Sequence, residues 1–156
     1  MRKLTAIFAA AFLAMLPSWA AGQQDWSVYR DKRFGMQINF PASLLDTVEE
    51  NREGVVIAGP DARLEMSARQ VPGLANTQQL RELVEQTEGY ENVTYSPGGN
   101  RWLVVSGYRG DDIFYEKFFL SRGLVRGFSM QYPVSLRRLY DPVVERMEDS
   151  FKAEPR

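Results

Sequence analysis

The sequence contains no cysteine and no histidine. Without cysteine the protein has no disulfide framework, no thiolate metal ligand and no site for a lipid anchor after an exported leader. Without histidine, Ser-His-Asp and Cys-His nucleophile pairs are excluded, as is imidazole ligation of zinc, copper or haem. The chemistry that remains is that of carboxylates, Ser-Lys pairs, tyrosine and oxygen-ligated metals. We therefore predict that the protein is not an enzyme and has no catalytic residue, metal site or cofactor.

An excess of positive charge is also absent. The chain has 19 basic and 20 acidic residues, and two of the basic ones, Arg2 and Lys3, fall in a segment that we predict to be removed. A general nucleic-acid-binding protein needs a basic surface that neutralises phosphates, and adsorption to anionic lipid needs the same. The charge balance therefore predicts that the protein binds neither nucleic acid nor an anionic membrane surface.

The chain begins with the pattern of a cleavable signal peptide. Two basic residues precede an apolar stretch at residues 4–16, Pro17 ends it, and small residues follow at the positions that a signal peptidase reads. As a helix this stretch would span about 20 Å, which is shorter than the roughly 30 Å hydrocarbon core of a bilayer. We predict a signal peptide at residues 1–20 with cleavage after Ala20, cleavage after Gly22 being the alternative. The mature protein would be periplasmic or secreted and would have no membrane span.

Alternation of apolar and polar residues, the signature of half-buried strands, recurs along the chain. Strong turn sequences separate the segments, among them Gly59-Pro60-Asp61 and Pro97-Gly98-Gly99-Asn100. The predicted strands lie at residues 34–40, 55–58, 62–71, 93–95, 102–108, 113–120 and 124–132. Because the last four are joined by tight turns, they predict an antiparallel meander.

Two segments have helical spacing instead. Leu80, Leu83 and Val84 form the i, i+3, i+4 stripe of a short amphipathic helix, with Thr77 as its predicted N-cap. A longer stripe near the end of the chain consists of Leu136, Leu139, Tyr140, Val143, Val144, Met147 and Phe151. Pro142 either kinks this second helix or occupies its first position with Asp141 as the cap. The predicted fold class is α+β, an antiparallel sheet meander flanked by helices.

Two stretches resemble PsbP-like domains, the superfamily that also contains the Ran-binding Mog proteins. The first is residues 29–41, where an aromatic residue and a turn precede Phe34-Gly35-x-x-Ile38-x-Phe40-Pro41. The second is the terminal block at residues 132–151, which ends in Ser-Phe. The resemblance implies one α-β-α sandwich domain at residues 21–156 and a binding or assembly role, and it supplies no catalytic residue to transfer.

These observations favour a non-catalytic, exported binding or assembly module that acts on a protein partner in the cell envelope. A periplasmic immunity or inhibitor protein is the alternative, and a carboxylate-based hydrolase is a third possibility that needs two acidic groups converging in a pocket. Aromatic and charged residues at one end of the meander predict the partner surface: Tyr108, Arg109, Asp112 and Tyr115. The oligomeric state is left open.

The same alternation predicts which side chains form the core. Those expected to be largely buried are Phe34, Ile38, Phe40, Trp102, Val104, Phe128 and Val144. If the ring of Trp102 is fully buried, Trp102→Ala should lower the free energy of unfolding by about 3–5 kcal/mol.

Overall fold

The computed structural model describes residues 25–153. The predicted signal peptide lies outside these residues. The described chain forms two helices, α1 (Thr77–Glu85) and α2 (Arg137–Ser150), the second preceded by a 3₁₀ turn at Val134–Leu136. The strands are β1 (Trp26–Asp31), β2 (Met36–Pro41), β3 (Thr47–Glu50), β4 (Gly54–Ala58), β5 (Arg63–Gln70), β6 (Asn92–Tyr95), β7 (Trp102–Arg109), β8 (Asp112–Ser121), β9 (Leu124–Pro133) and β10 (Lys152–Ala153). Neither helix of the described residues is long and apolar enough to cross a membrane.

Seven strands form the main sheet, in the order β3-β4-β5-β9-β8-β7-β6, and every neighbouring pair is antiparallel. The predicted meander β6 to β9 makes up one half of it, and the β3 to β5 meander joins through the pairing of β5 with β9. Strands β1, β2 and β10 form a separate small sheet. The prediction of an antiparallel α+β fold is therefore confirmed, although the chain contains more strands than its alternation predicts.

The larger core lies between one face of the main sheet, the small sheet and α2. Ile38 from β2, Met66 from β5 and Phe128 from β9 meet Val144 and Met147 from α2 there, all of them buried. Burial of apolar side chains at about 25 cal/mol per Å² is the main force that holds these layers together.

Helix α1 lies on the opposite face of the main sheet. Leu80 and Val84 of α1 pack against Leu103, Val105 and Phe114. A helix of nine residues is only about 13 Å long, so it covers β7 and β8 and leaves the β5 side of this face open.

Local details of the two helices differ from the sequence prediction. The N-cap of α1 is Asn76, whose side chain accepts a hydrogen bond from the Gln79 amide, and Thr77 is the first helical residue. The Thr77 hydroxyl instead donates to the Gly99 carbonyl at 2.6 Å. Pro142 lies inside α2, past its first turn, so it is not the first helical residue and Asp141 is not its cap; its ring also removes the amide that would donate to the Arg138 carbonyl.

One predicted core residue, Trp102, is not buried. Its side chain is 37% exposed, whereas Val104, two residues further along the same face of β7, is 2% exposed. Helix α2 packs chiefly on β2, β8 and β9, so most of its cover lies away from the start of β7. The indole rests against Gly99, which has no Cβ to displace it. Phe34 is half-buried, and the other five predicted core residues are buried.

Candidate binding groove

A groove of about 320 Å³ opens on the α2 face of the main sheet, beside the β6 edge. We call it the tyrosine groove, because Tyr95, Tyr108, Tyr115 and Tyr132 line it. Its volume is at the lower end of the range of small-molecule sites, which is roughly 300–1,000 Å³. It therefore has room for a side chain or two of a partner and little room for a large cofactor.

Cross-strand register builds the floor of the groove. Tyr108 of β7 lies opposite Ile113 of β8, which in turn lies opposite Tyr132 of β9. In the neighbouring row, Tyr95 of β6 and Tyr115 of β8 both lie opposite Ser106 of β7. Because side chains two residues apart share one face of a strand, the two rows lie side by side on the same face. The small Ser106 between the two tyrosines of its row leaves the depression open.

Helix α2 forms the wall of the groove with residues three to four positions apart, Asp141, Val144, Glu145 and Glu148. Asp141 accepts hydrogen bonds from the Tyr132 hydroxyl at 2.8 Å and from Arg137 at 2.9 Å. Glu148 forms an ion pair with Lys117 at 2.9 Å. Within residues 25–153, no side chain pairs with the carboxylate of Glu145, which is exposed between these two neutralised pairs.

The charged side chains of α2 and the burial of the groove shift the pKa values of Glu148, Tyr115 and Tyr132. Burial raises the pKa of the Glu148 carboxyl, but the hydrogen bonds from Tyr115 and Lys117 and the charge of Lys117 lower it more, so the net shift is downward. Burial, together with the hydrogen bond to Glu148, raises the pKa of Tyr115 far above its ordinary value. The pKa of Tyr132 is raised in the same way by burial and by Asp141. At neutral pH the phenols of Tyr115 and Tyr132 are therefore neutral and the carboxyl of Glu148 is ionised.

The opposite face carries a buried polar cluster around Glu116, which is 4% exposed. Its Oε2 accepts a hydrogen bond from the Tyr90 hydroxyl at 2.5 Å, and its Oε1 accepts bonds from Ser129 at 3.0 Å and Arg109 at 3.2 Å. The Arg109 guanidinium lies 4.7 Å from the centroid of the Tyr90 ring and 4.3 Å from that of Phe114. We call these four polar side chains, Tyr90, Arg109, Glu116 and Ser129, the Glu116 cluster.

A second groove, of about 380 Å³, runs between α1 and the open part of this face. Its floor is polar, with Glu65 and Ser67 of β5 beside the Glu116 cluster, and Leu83 of α1 forms an apolar wall. The carboxylate of Glu116 is already satisfied by three donors, and Arg109 Nε donates to the Gly89 carbonyl at 2.8 Å. These groups hold the loop after α1 against the sheet. Their hydrogen bonds are made within the protein, so they stabilise the fold and are not open to a ligand.

The four residues of the predicted partner surface separate between the two faces. Tyr108 and Tyr115 lie together in the tyrosine groove. Arg109 belongs to the Glu116 cluster on the other face, and Asp112 accepts a hydrogen bond from the Gln131 side chain at 2.8 Å. The structure therefore divides the four into two pairs, Tyr108 with Tyr115 on the α2 face and Arg109 opposite Asp112 on the other face, because neighbouring residues in a strand point to opposite faces.

Sequence reasoning missed Tyr95, Tyr132 and Glu145 as partners of Tyr108. Tyr95 and Tyr132 are visible as aromatic strand residues, but only the register across β6 to β9 brings them together. Glu116 had a clearer signal, since alternation places this acid between Phe114 and Phe118 on an inward face. A charged residue in such a position requires partners inside the protein.

The arrangement of acidic groups bears on the hydrolase possibility. Within residues 25–153, no group of three or more acidic side chains is placed so that it could hold a metal ion. Asp141, Glu145 and Glu148 line the same groove, so acidic groups do converge there. Asp141 and Glu148 are paired with cations, and the lowered pKa of Glu148 makes it an acceptor rather than a proton donor. Acid catalysis of glycoside hydrolysis needs a carboxyl whose pKa is raised, so Glu148 does not fit that role.

The fold is similar to that of cyanobacterial PsbP (CyanoP) from Synechocystis sp. PCC 6803, known from a solution structure. The match has a TM-score of 0.63 and covers 86% of this chain and 96% of that chain, at 10% sequence identity. The chain therefore has a PsbP-like fold, which confirms the resemblance seen in the sequence. No protein-family model and no curated protein sequence matches the chain. At this identity the likeness concerns the fold alone, and no residue of the groove is transferred from it.

Proposed function

We propose that this chain with a PsbP-like fold is a non-catalytic, exported binding module that engages a protein partner through the tyrosine groove. Its layers, with α1 on one face of the main sheet and α2 with the small sheet on the other, support describing it as an α-β-α sandwich. The observation that carries the functional proposal is the convergence of Tyr95, Tyr108, Tyr115 and Tyr132 on one open groove.

Tyrosine suits such a surface because it offers a large contact area with only two rotatable side-chain bonds. In this groove the hydroxyls of Tyr115 and Tyr132 are held by α2 carboxylates, so those rings are fixed before a partner arrives. Tyr95 is 57% exposed at the edge strand β6 and would gain burial on binding. Fixed aromatic anchors beside an exposed one are typical of the few residues that dominate binding energy.

Export is the second part of the proposal and has its own test. The pattern of residues 1–20 supports transport to the periplasm or the medium, followed by cleavage after Ala20. The intact mass of the protein recovered from a periplasmic extract should correspond to a chain that begins at Ala21. Recovery of the protein in the membrane fraction with Met1 retained would contradict export as a cleaved protein.

The absence of cysteine makes a site-directed cross-linking experiment possible. We would introduce one thiol by Tyr95→Cys at the groove and, in a control protein, one by Val48→Cys, then attach a photoactivatable cross-linker to each. Val48 is 49% exposed on β3, the strand at the other edge of the main sheet, so the control matches Tyr95 in exposure and in strand environment. Both labelled proteins are then illuminated in envelope extract.

The expected result is a discrete cross-linked protein with the label at position 95 and not with the label at position 48. Excess unlabelled mature protein should suppress it, because a specific site is saturable. Mass spectrometry of the adduct then distinguishes an envelope assembly component from a toxic enzyme, which would favour the immunity alternative. Equal, non-saturable labelling from both positions would contradict the tyrosine groove as the partner site.

A further inference from the structure

The charges around the tyrosine groove do not cancel. At one end Arg137 neutralises Asp141, and at the other Lys117 neutralises Glu148. Glu145 lies between them on the same face of α2, and within residues 25–153 its carboxylate has no cationic partner. The groove therefore carries one uncompensated negative charge, that of Glu145.

The tyrosine floor opposite the Glu145 carboxylate also favours a positively charged ligand. A tyrosine ring carries partial negative charge on its face and attracts an ammonium or guanidinium group within about 6 Å of its centre. The phenols of Tyr115 and Tyr132 donate hydrogen bonds to Glu148 and Asp141, which leaves their hydroxyl hydrogens unavailable to a ligand acceptor. An anionic or purely apolar ligand would gain little from such a lining.

We infer that the tyrosine groove binds a lysine or arginine side chain from an extended basic segment of the protein partner, with Glu145 as the countercharge and the rings of Tyr95 and Tyr108 as the aromatic platform. This inference rests on the proposed function and specifies the chemistry of the partner. The groove volume of about 320 Å³ suits one or two such side chains.

The test uses the mature protein and a defined probe, an acetylated and amidated peptide in which lysine alternates with glycine. Binding is followed by NMR shifts of the groove amides at about 10 mM salt. The titration is repeated at about 150 mM, where interactions between exposed charges more than about 8 Å apart are largely screened. The same peptide with acetylated lysines is the probe control, because acetylation removes the charge and keeps the side-chain length. The lysine peptide should shift the amides of β6, β7 and α2 around the groove and should bind more weakly at the higher salt.

Four variants separate the contributions of Glu145 and Tyr95 to binding. Glu145→Gln should weaken the lysine peptide about two- to five-fold, whereas Glu82→Gln on α1 makes the same change of charge on the other face and should have no effect. Tyr95→Leu should weaken it about two- to five-fold, and Tyr95→Phe should keep the affinity because the ring face is retained. Tyr95 is exposed, so these replacements leave the core intact.

Several results would overturn the inference. Three of them are equal affinity for the acetylated peptide, no binding of the lysine peptide, and shifts confined to the α1 face. The fourth is displacement of the peptide by choline at a concentration lower than that of the peptide, which would indicate a small quaternary ammonium ligand. If the peptide fails while the label at position 95 still captures a saturable partner, the proposed function stands and only the cationic chemistry is wrong. If both fail, the groove is not a binding site.

Discussion

The hydroxyl of Tyr90 donates a 2.5 Å hydrogen bond to Glu116, a carboxylate that is only 4% exposed. Tyr90 lies in the connection from α1 to β6 and Glu116 lies in the middle of β8, so the bond ties that connection to the sheet. Burial, the charge of Glu116 and the hydrogen bond all raise the pKa of Tyr90, while Arg109 lowers it. The net effect is a phenol that stays protonated and continues to donate.

The first prediction is that Glu116→Ala destabilises the protein by about 3–5 kcal/mol, because it leaves Arg109 as a half-buried cation without its carboxylate. Ser129→Ala, which removes one neutral donor from the same carboxylate, should cost only about 0.5–1.5 kcal/mol. Urea denaturation followed by circular dichroism measures both.

The double variant Arg109→Met with Glu116→Leu should recover part of the loss, since an apolar pair leaves no charge buried. A loss below about 1 kcal/mol for Glu116→Ala would contradict the structural role of the cluster.

Much of the main sheet is predictable from the sequence because its central strands are half-buried. Strands β5 and β9 alternate clearly, β7 and β8 are rich in β-branched and aromatic residues, and the turn residues mark where each strand ends. Strands β1, β3 and β10 were not predicted. All four residues of β3 are exposed, so its strand state comes from backbone pairing with β4 and leaves no pattern of burial to detect.

The candidate site was predictable only in part for a related reason. Period-two alternation already separates Tyr108 from Arg109, so their different faces could have been read from the sequence. The meeting of Tyr95 with Tyr115 depends on the register of β6, which is shifted by an irregularity between Val93 and Tyr95. The position of α2 over that face depends on tertiary packing, and no local pattern encodes it.

The second prediction concerns Trp102, whose expected burial was wrong. Because its ring is 37% exposed, we expect Trp102→Ala to cost about 1–2 kcal/mol, less than the 3–5 kcal/mol of a fully buried aromatic. Phe128→Ala is the matched comparison, since Phe128 is 2% exposed in the same sheet, and it should cost the full amount. Equal losses in urea titrations would mean that Trp102 is covered in solution.

The third prediction uses the turn between β8 and β9. Arg122 has a φ of 51° and the following Gly123 a φ of 76°, which is the pattern of a type I′ turn that favours Asn-Gly. A side chain other than asparagine or glycine is strained by about 1–2 kcal/mol in this region. Arg122→Asn should therefore raise the free energy of unfolding by about 1 kcal/mol, whereas Arg122→Ala keeps the strain and should give no gain. A destabilised Arg122→Asn variant would show that the arginine side chain contributes more than its backbone costs.

The last prediction is a pH dependence that arises in the wall of the tyrosine groove. The pKa of Glu148 is lowered in the folded protein, so the unfolded chain binds its proton more readily than the folded one. The stability that Glu148 contributes through Lys117 and Tyr115 is therefore present above its ordinary pKa of 4.5 and is lost as the pH falls through the lower folded value. The urea midpoint of the wild type should decrease between about pH 5 and pH 3, and Glu148→Gln should remove part of that decrease. Glu145→Gln, which removes a carboxylate without an ion pair one turn earlier in α2, is the matched control for the change of charge. Equal slopes for the wild type and Glu148→Gln would show that the pair with Lys117 does not stabilise the folded state.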